Sequence, residues 1–391
     1  LGPAQQLTQP RTGRRRFLLG LATCSASIAI TTVIVKNLNV IDLLFAHPFT
    51  GTTPAPSLSS PIPPQATIRS RPLYTYRGHK GSVTAVTWSP IGNRIASAGT
   101  LDSSVQVWNA NAGNPISHFA TKNQRVDALA WSPDGSRIAA ALDNDTVNIW
   151  SIATGEPSPI SFSQHEDTND SGALAWSPDG SKVAAGSSNL ASSGTRVHSV
   201  QVRSATTGKL SLTYTGHTQP VLTLAWSPGG KYIASGGVDS TVQVWDSTIG
   251  HMYVTYAGHF AEVNAVAWSP DSSQLASGGA DGTVQVWEAA TGLLLFTYHG
   301  HAGGVNTVAW HGSRIASGGA DGTVQVWSFG RADATARVRT LSGARVSLPL
   351  QGDVLVYRGH AGPVTSVTWS PDGQRIASAS EDGTVQLWQA I

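Results

Sequence analysis

An all-β fold of repeated four-stranded antiparallel blades is predicted by three observations. First, near-copies of one phrase recur: Gly-His, a strand ending in Trp, a turn, an Ala-Ser strand, an Asp, then Val-Gln-Val-Trp or a close variant. The fullest copy starts at Gly258-His259, runs from Val263 to Trp268, turns at Ser269-Pro270-Asp271, continues through Leu275-Ala276-Ser277 and Asp281, and closes at Trp287; others start at His79, His217, His301 and His360. Second, the steps from Trp226 to Trp268 and from Trp268 to Trp310 are both 42 residues, within the roughly 40 to 45 of a four-stranded propeller blade. Third, the segments are short, alternate at period two, are rich in Val, Thr, Tyr and Trp, and lie between Gly, Pro and Asp turns, which marks them as strands rather than helices.

The elements follow in chain order. Residues 1–16 form a basic tail ending in Arg14-Arg15-Arg16, and residues 17–35 follow without a charge. As a helix those 19 residues would reach about 28 Å, enough to cross a bilayer's hydrocarbon core. Arg14-Arg15-Arg16-Phe17-Leu18 also resembles a bacterial twin-arginine export signal, with Gly13 where Ser or Thr is usual. Both readings leave the basic flank in the cytoplasm and send the rest of the chain outside. They differ on cleavage, and the lack of a clean small-residue site favours a retained single-pass membrane anchor over an exported and released protein. Residues 36–71, rich in Pro, Thr and Ser from Pro48 onward, read as a flexible, semi-extended linker.

Residues 72–391 hold the blades. The Trp that ends each first strand counts them: Trp88, Trp131, Trp176, Trp226, Trp268, Trp310 and Trp369, hence seven. After Trp388 only Gln389, Ala390 and Ile391 remain, too few for the last blade's outermost strand. Leu73-Tyr74-Thr75-Tyr76 matches the short aromatic strand that precedes the other Gly-His pairs, yet no blade stands before it. It is therefore expected to pair beside 385–388 and close the ring, removing an open edge. The Ser-Pro-Asp-Gly segments at Ser132, Ser177 and Ser370 suit type I turns with Pro second and Gly fourth.

Composition bounds the function. The chain has 391 residues, 40% of them hydrophobic, with 41 Gly, enough for a large core threaded by tight turns. Net charge is +2, but residues 1–71 hold seven Lys or Arg against Asp42 alone, leaving 18 basic and 22 acidic residues in the blades. Such a mildly acidic disc carries no electrostatic footprint for nucleic acid. Cys24 is the only cysteine, which excludes an internal disulfide and a cysteine-based metal site.

A polar set repeats with the blades: His217, Ser235, Asp239 and Trp245; His259, Ser277, Asp281 and Trp287; His301, Ser317, Asp321 and Trp327; His360, Ser378, Asp382 and Trp388; and His79, Ser97, Asp102 and Trp108, with one extra residue before the Asp. One copy alone would suggest a nucleophilic triad. Five copies point instead to a device that serves each blade. Blade two has Lys122, Ala140 and Asn144 at the first three places but keeps Trp150; blade three has His165 two residues early, Ala185 and Arg203. These two blades are expected to be the least rigid.

These residues resemble the WD-repeat β-propeller family, in a bacterial, membrane-anchored form, over about four fifths of the chain. The resemblance implies that each His precedes the innermost strand, each Asp lies in the turn before the third, and hydroxyl and indole complete a buried hydrogen-bond network. It also implies a contact face formed by the residues after Gly-His and around the blade Asp: here Lys80, Arg125, Gln219, Phe260, Glu262 and Glu381. Phe260 is the leading anchor, because an exposed aromatic can bind a partner, and its alternative is a ring folded onto its own loop. A second candidate surface is the long segment from Ser328 to Gly352, with Arg331, Arg337, Arg339 and Arg345 against Asp333.

Little suggests an enzyme. His299 and His301 form a His-x-His pair, but His301 belongs to the repeated set, and no metal site, phosphate loop or cofactor motif appears. The expected function is a noncatalytic scaffold or sensor propeller that binds other proteins and is tethered to a bacterial membrane through residues 17–35. The chain begins at Leu1 and its sole Met is Met252, so either an alternative start codon or lost upstream sequence is open. The alternative functions are therefore the outer sensor domain of a truncated receptor-type protein kinase and, more distantly, a secreted hydrolase.

Overall fold

The computed structural model describes residues 66–69, 71–144, 146–154, 157–163, 172–190, 196–329 and 351–390. The basic tail, residues 17–35 and most of the linker lie outside these residues. The described chain is all β, in seven sheets. Blade one spans the strands Val83–Trp88, Arg94–Gly99, Ser104–Asn109 and Pro115–Ala120, and the next five blades repeat this antiparallel meander. The seventh has Val364–Trp369, Arg375–Ser380 and Val385–Gln389, with Tyr74–Tyr76 as its fourth strand. There Tyr74 faces Leu387, Thr75 faces Gln386 and Tyr76 faces Val385. Each innermost strand touches that of the next blade, and the seventh touches the first, so the ring is closed.

The core lies between blades rather than within them. Seven hydrophobic clusters each straddle one seam. At the seam from blade six to blade seven, Ala316, Val324 and Val326 meet Val364, Trp369, Ile376 and Trp388. A fully buried Val or Ile contributes roughly 1.5–3 kcal/mol. This packing needs small residues in the second strands: a Cβ on Gly278 would come within 2.6 Å of the Val305 side chain in the following blade.

A β-bulge repeats near the start of the innermost strand, between Val83 and Ala85, Val263 and Ala265, Val305 and Thr307, and Val364 and Ser366. A bulge leaves one residue outside the ladder and re-aims it. Each of these extra residues donates to the next blade: Thr84 to the Val126 carbonyl at 2.6 Å, Asn264 to Val305 at 3.0 Å, Asn306 to Val364 at 2.9 Å, and Thr365 back to Val83 at 2.6 Å.

One expectation needs correction. Residues 36–71 were expected to be linker throughout, yet Ala66–Arg69 forms a strand parallel to Gln351–Tyr357, making blade six five-stranded. The outer strand of blade six presents unpaired N–H and C=O groups, and the incoming chain satisfies a row of them. The Arg358 N–H closes the pairing on the Arg69 carbonyl at 2.8 Å.

Candidate functional site

Because strands alternate in direction, the loops entering the innermost strands and the turns between second and third strands share one rim. The repeated polar set sits just beneath it. In blade four His217 Nδ1 lies 2.8 Å from Asp239, His217 Nε2 lies 2.8 Å from the Ser235 hydroxyl, and Trp245 Nε1 donates to Ser235 at 3.1 Å. Blade five repeats this at 2.8, 2.8 and 3.2 Å through His259, Asp281, Ser277 and Trp287. Blade seven gives 2.9, 2.8 and 2.8 Å through His360, Asp382, Ser378 and Trp388. In blade one His79 bonds Asp102 and Ser97, and Trp108 donates to Ser97 at 3.0 Å. Blade six departs: His301 holds Asp321 and Ser317, but Trp327 Nε1 finds no partner among the described residues.

The proton arrangement follows from the partners. A carboxylate only accepts, so His Nδ1 donates to it; an indole only donates, so the hydroxyl accepts from Trp and gives its own proton to His Nε2. Ser97, Ser235, Ser277, Ser317 and Ser378 are all 0% exposed. Though the geometry is that of a Ser-His-Asp triad, these five hydroxyls are sealed from any substrate.

Charge is distributed accordingly. Burial pushes His79, His259 and His360 below the usual imidazole range, outweighing the opposite pull of their aspartates. Burial would raise Asp239, but hydrogen bonds from His217 and Thr241 prevail and bring it down to about 2. Asp281, Asp321 and Asp382 are lowered in the same way. In blades five and seven the set therefore pairs neutral imidazole with ionised carboxylate.

The network extends further than the repeated four residues. Tyr76, Tyr214 and Tyr298, each on the outer strand of one blade, donate to Gln106, Gln243 and Gln325 on the third strand of the next, at 2.6, 2.6 and 2.5 Å; Tyr256 bonds Gln285 likewise. Each Gln in turn donates to the Gly carbonyl of Gly-His, as Gln285 does to Gly258 at 3.2 Å. The same tyrosines stack on the set's tryptophans, Tyr76 on Trp108 and Tyr214 on Trp245 at 4.4 Å. The recurring Gln of Val-Gln-Val-Trp and the Tyr before Gly-His were the available signals. At the last seam Tyr357 donates to the Gln389 carbonyl instead, and Gln386 Oε1 finds no partner among the described residues.

The rim candidates are held by this scaffold. Phe260 donates its backbone N–H to Asp281 at 3.1 Å while its ring is 95% exposed, so the ring is not folded onto its own loop. Lys80 donates its N–H to Asp102 in the same way. Lys80, Gln219, Glu262 and Glu381 are exposed, and Arg125 is engaged by Asp127 at 2.7 Å. In blade two, Lys122 and Asn123 adopt left-handed φ of 54° and 67° where other blades place the His and the residue after it, and Trp150 stacks on Phe119. Arg203 of blade three grips Gln201 at 2.7 Å. His165, Arg331, Arg337, Arg339 and Arg345 lie outside the described residues. No cluster of three or more metal-binding side chains occurs among the described residues, and no described helix is long and apolar enough to cross a membrane.

A closed seven-bladed ring with a buried polar set under one rim defines a β-propeller built from repeats. The chain belongs to the WD domain, G-beta repeat family (WD40), matching it at residues 70–109, 113–151, 208–246, 250–288, 292–328 and 352–389. The match passes over blade three, where the polar set is degenerate. The serine-threonine kinase receptor-associated protein of Homo sapiens is 57% identical over 35 residues, 9% of this chain and 10% of that protein. Its namesake in Dictyostelium discoideum is 46% identical over 39 residues, 10% and 13% of the two chains. The chain thus spans about a tenth of these curated relatives, roughly one blade. A chain in a crystal structure of the mitotic checkpoint complex superposes with a TM-score of 0.68 at 27% identity, covering 83% of this chain and 96% of that one.

Proposed function

We propose that this propeller is a noncatalytic scaffold or sensor that binds other proteins through the rim carrying Phe260, and that residues 17–35 tether it to the outer side of a bacterial membrane. The observation that carries the binding half is Phe260. An aromatic ring left 95% exposed, on backbone pinned to a buried carboxylate, is pre-organised to anchor a partner at little entropic cost. Glu262 in the same loop, and Gln219, Glu381 and Lys80 in the corresponding loops of other blades, add exposed polar groups to the rim, and the arginines between Ser328 and Gly352 offer a second, basic candidate. Relatives named for association with a kinase receptor, and a structural neighbour drawn from a protein complex, support the same reading. The tether rests on the uncharged stretch after Arg14-Arg15-Arg16.

Crosslinking in intact cells followed by mass spectrometry tests the binding half. The wild-type chain is expected to capture a defined partner, and Phe260→Ala is expected to reduce capture at least about tenfold, as for a central anchor, with an unchanged melting temperature. Equal capture by both would remove Phe260 from the interface. A sensor domain of a receptor-type kinase would share this face; a kinase reading frame directly upstream in the genome would favour it.

A further inference from the structure

Some seams of the ring carry a clamp that others lack. At three seams an arginine from the second strand of one blade lies over the first-strand tryptophan of the next: Arg137 is 4.8 Å from Trp176, Arg314 is 4.9 Å from Trp369, and Arg375 is 5.0 Å from Trp88. Two of these guanidinium groups also fork onto carbonyls. Arg137 donates to Ala205 at 3.1 Å and Gly180 at 3.0 Å, and Arg314 to Ala390 at 2.9 Å and Gly373 at 2.7 Å. The three tryptophans are 5–8% exposed.

At the seam from blade three to blade four the arginine is replaced by Lys182, and Trp226 is only partly buried. A cleft of about 410 Å³ opens there, lined by Trp226, Lys182, Gly230 and Ser247 among others, within the roughly 300–1,000 Å³ of small-ligand sites. The acceptors that hold Arg137 have counterparts in it. The Ala205 N–H bonds the Ser181 carbonyl at 2.8 Å and the Ser247 N–H bonds Lys231 at 2.9 Å, so Gly230 and Ser247 occupy the places of Gly180 and Ala205. The Gly230 carbonyl already accepts Trp226 Nε1 at 2.8 Å and the Ser247 hydroxyl at 2.9 Å; rotation of that hydroxyl frees one lone pair. Lys182, Lys231 and Asp179 line the cleft, and the Lys231 ammonium is turned to the Tyr232 ring, 4.9 Å away.

We propose that this cleft binds an arginine side chain presented by a partner protein, whose guanidinium stacks on Trp226 and donates to the Gly230 and Ser247 carbonyls as Arg137 does to their counterparts. The inference rests on the reading of the chain as a protein-binding propeller, but uses the opposite rim from Phe260. A lysine cannot substitute, because its ammonium lacks the planar fork that both stacks and makes two parallel hydrogen bonds.

The test is a titration of the full-length, indole-¹⁵N-labelled chain with N-acetyl-arginine amide and N-acetyl-lysine amide, observed by NMR and with the Trp226 signal assigned from Trp226→Phe. The arginine compound is expected to shift the Trp226 indole resonance, and the lysine compound to bind at least about tenfold more weakly. Lys182→Arg is expected to fill the slot from within and abolish the shift while raising the melting temperature, which also shows that this variant folds. A silent Trp226 resonance, equal shifts with both compounds, or undiminished binding by Lys182→Arg overturns the proposal. Partner capture that Phe260→Ala reduces, seen with a silent Trp226 resonance, overturns the slot and leaves the interaction reading standing. Arginine-specific binding without any captured partner supports the slot and counts against that reading.

Discussion

A single carboxylate shows how tightly each blade depends on its polar set. Asp281 accepts from His259, from the Phe260 N–H, and from Thr283 through both N–H and hydroxyl. Removing it strands His259 Nδ1, whose side chain is 0% exposed, and leaving a buried donor unpaired costs about 1–3 kcal/mol. Asp281→Ala is therefore expected to lower stability by roughly that amount in chemical denaturation and, by releasing the Phe260 N–H, to weaken partner capture through that ring. Acid should act on several of the sets together. Asp239 titrates at about 2 in the fold against an ordinary 3.8, and His79, His259 and His360 lie below their ordinary 6.5. A folded-state value below the unfolded one means that the unfolded chain binds the proton more readily. Stability should thus be full above about pH 6.5, decline as the histidines of the unfolded chain protonate, and fall again between about 4 and 2. Thermal melts across pH 8 to 3 check this, and a melting temperature that rises below pH 6 would contradict it.

At the scale of the strand, most of what holds the ring together crosses from one blade to the next. The bulged Thr84, Asn264, Asn306 and Thr365 donate across seams, and Tyr76 on the seventh blade stacks on Trp108 of the first. The strand Tyr74–Tyr76 therefore contributes twice, as the ladder partner of Val385–Gln389 and as a wedge under blade one. Deleting residues 72–77 should lower the melting temperature by several degrees and promote aggregation, because it exposes the edge of the strand ending at Gln389 and uncovers Trp108. An unchanged melt, with the protein remaining monodisperse in light scattering, would show that closure does not depend on this strand.

For the whole molecule, rigidity and function separate. The disc is stabilised by repeated interior devices, so the loops on its rims are free to differ, and both proposed contacts fall where they do: Phe260 on one rim, the slot over Trp226 on the other. The proposed membrane tether lies in residues 17–35, outside the disc. If residues 17–35 are retained as a helix, alkaline extraction of membranes should leave the chain in the pellet, and replacing Leu18 and Leu19 by Asp should release it. Recovery of the unaltered chain in the soluble fraction would favour export and cleavage.

The blade count, the blade period and the His, Ser, Asp and Trp positions could be read directly because each blade must solve the same local problem with residues at nearly the same spacing. The pairing of both chain ends followed from a strand missing at one end and surplus at the other. What the sequence could not disclose are contacts made across a seam, where the partners belong to different copies of the phrase: Tyr76 with Gln106, 30 residues on, or the bulged Thr365 with Val83, 282 residues away across the closure. The parallel strand Ala66–Arg69 was hidden for a related reason. Its register comes from the free edge of blade six rather than from any pattern of its own. Local spacing determined which residues recur, and only the closed ring decided which of them meet, since the energy of each seam depends on two blades at once.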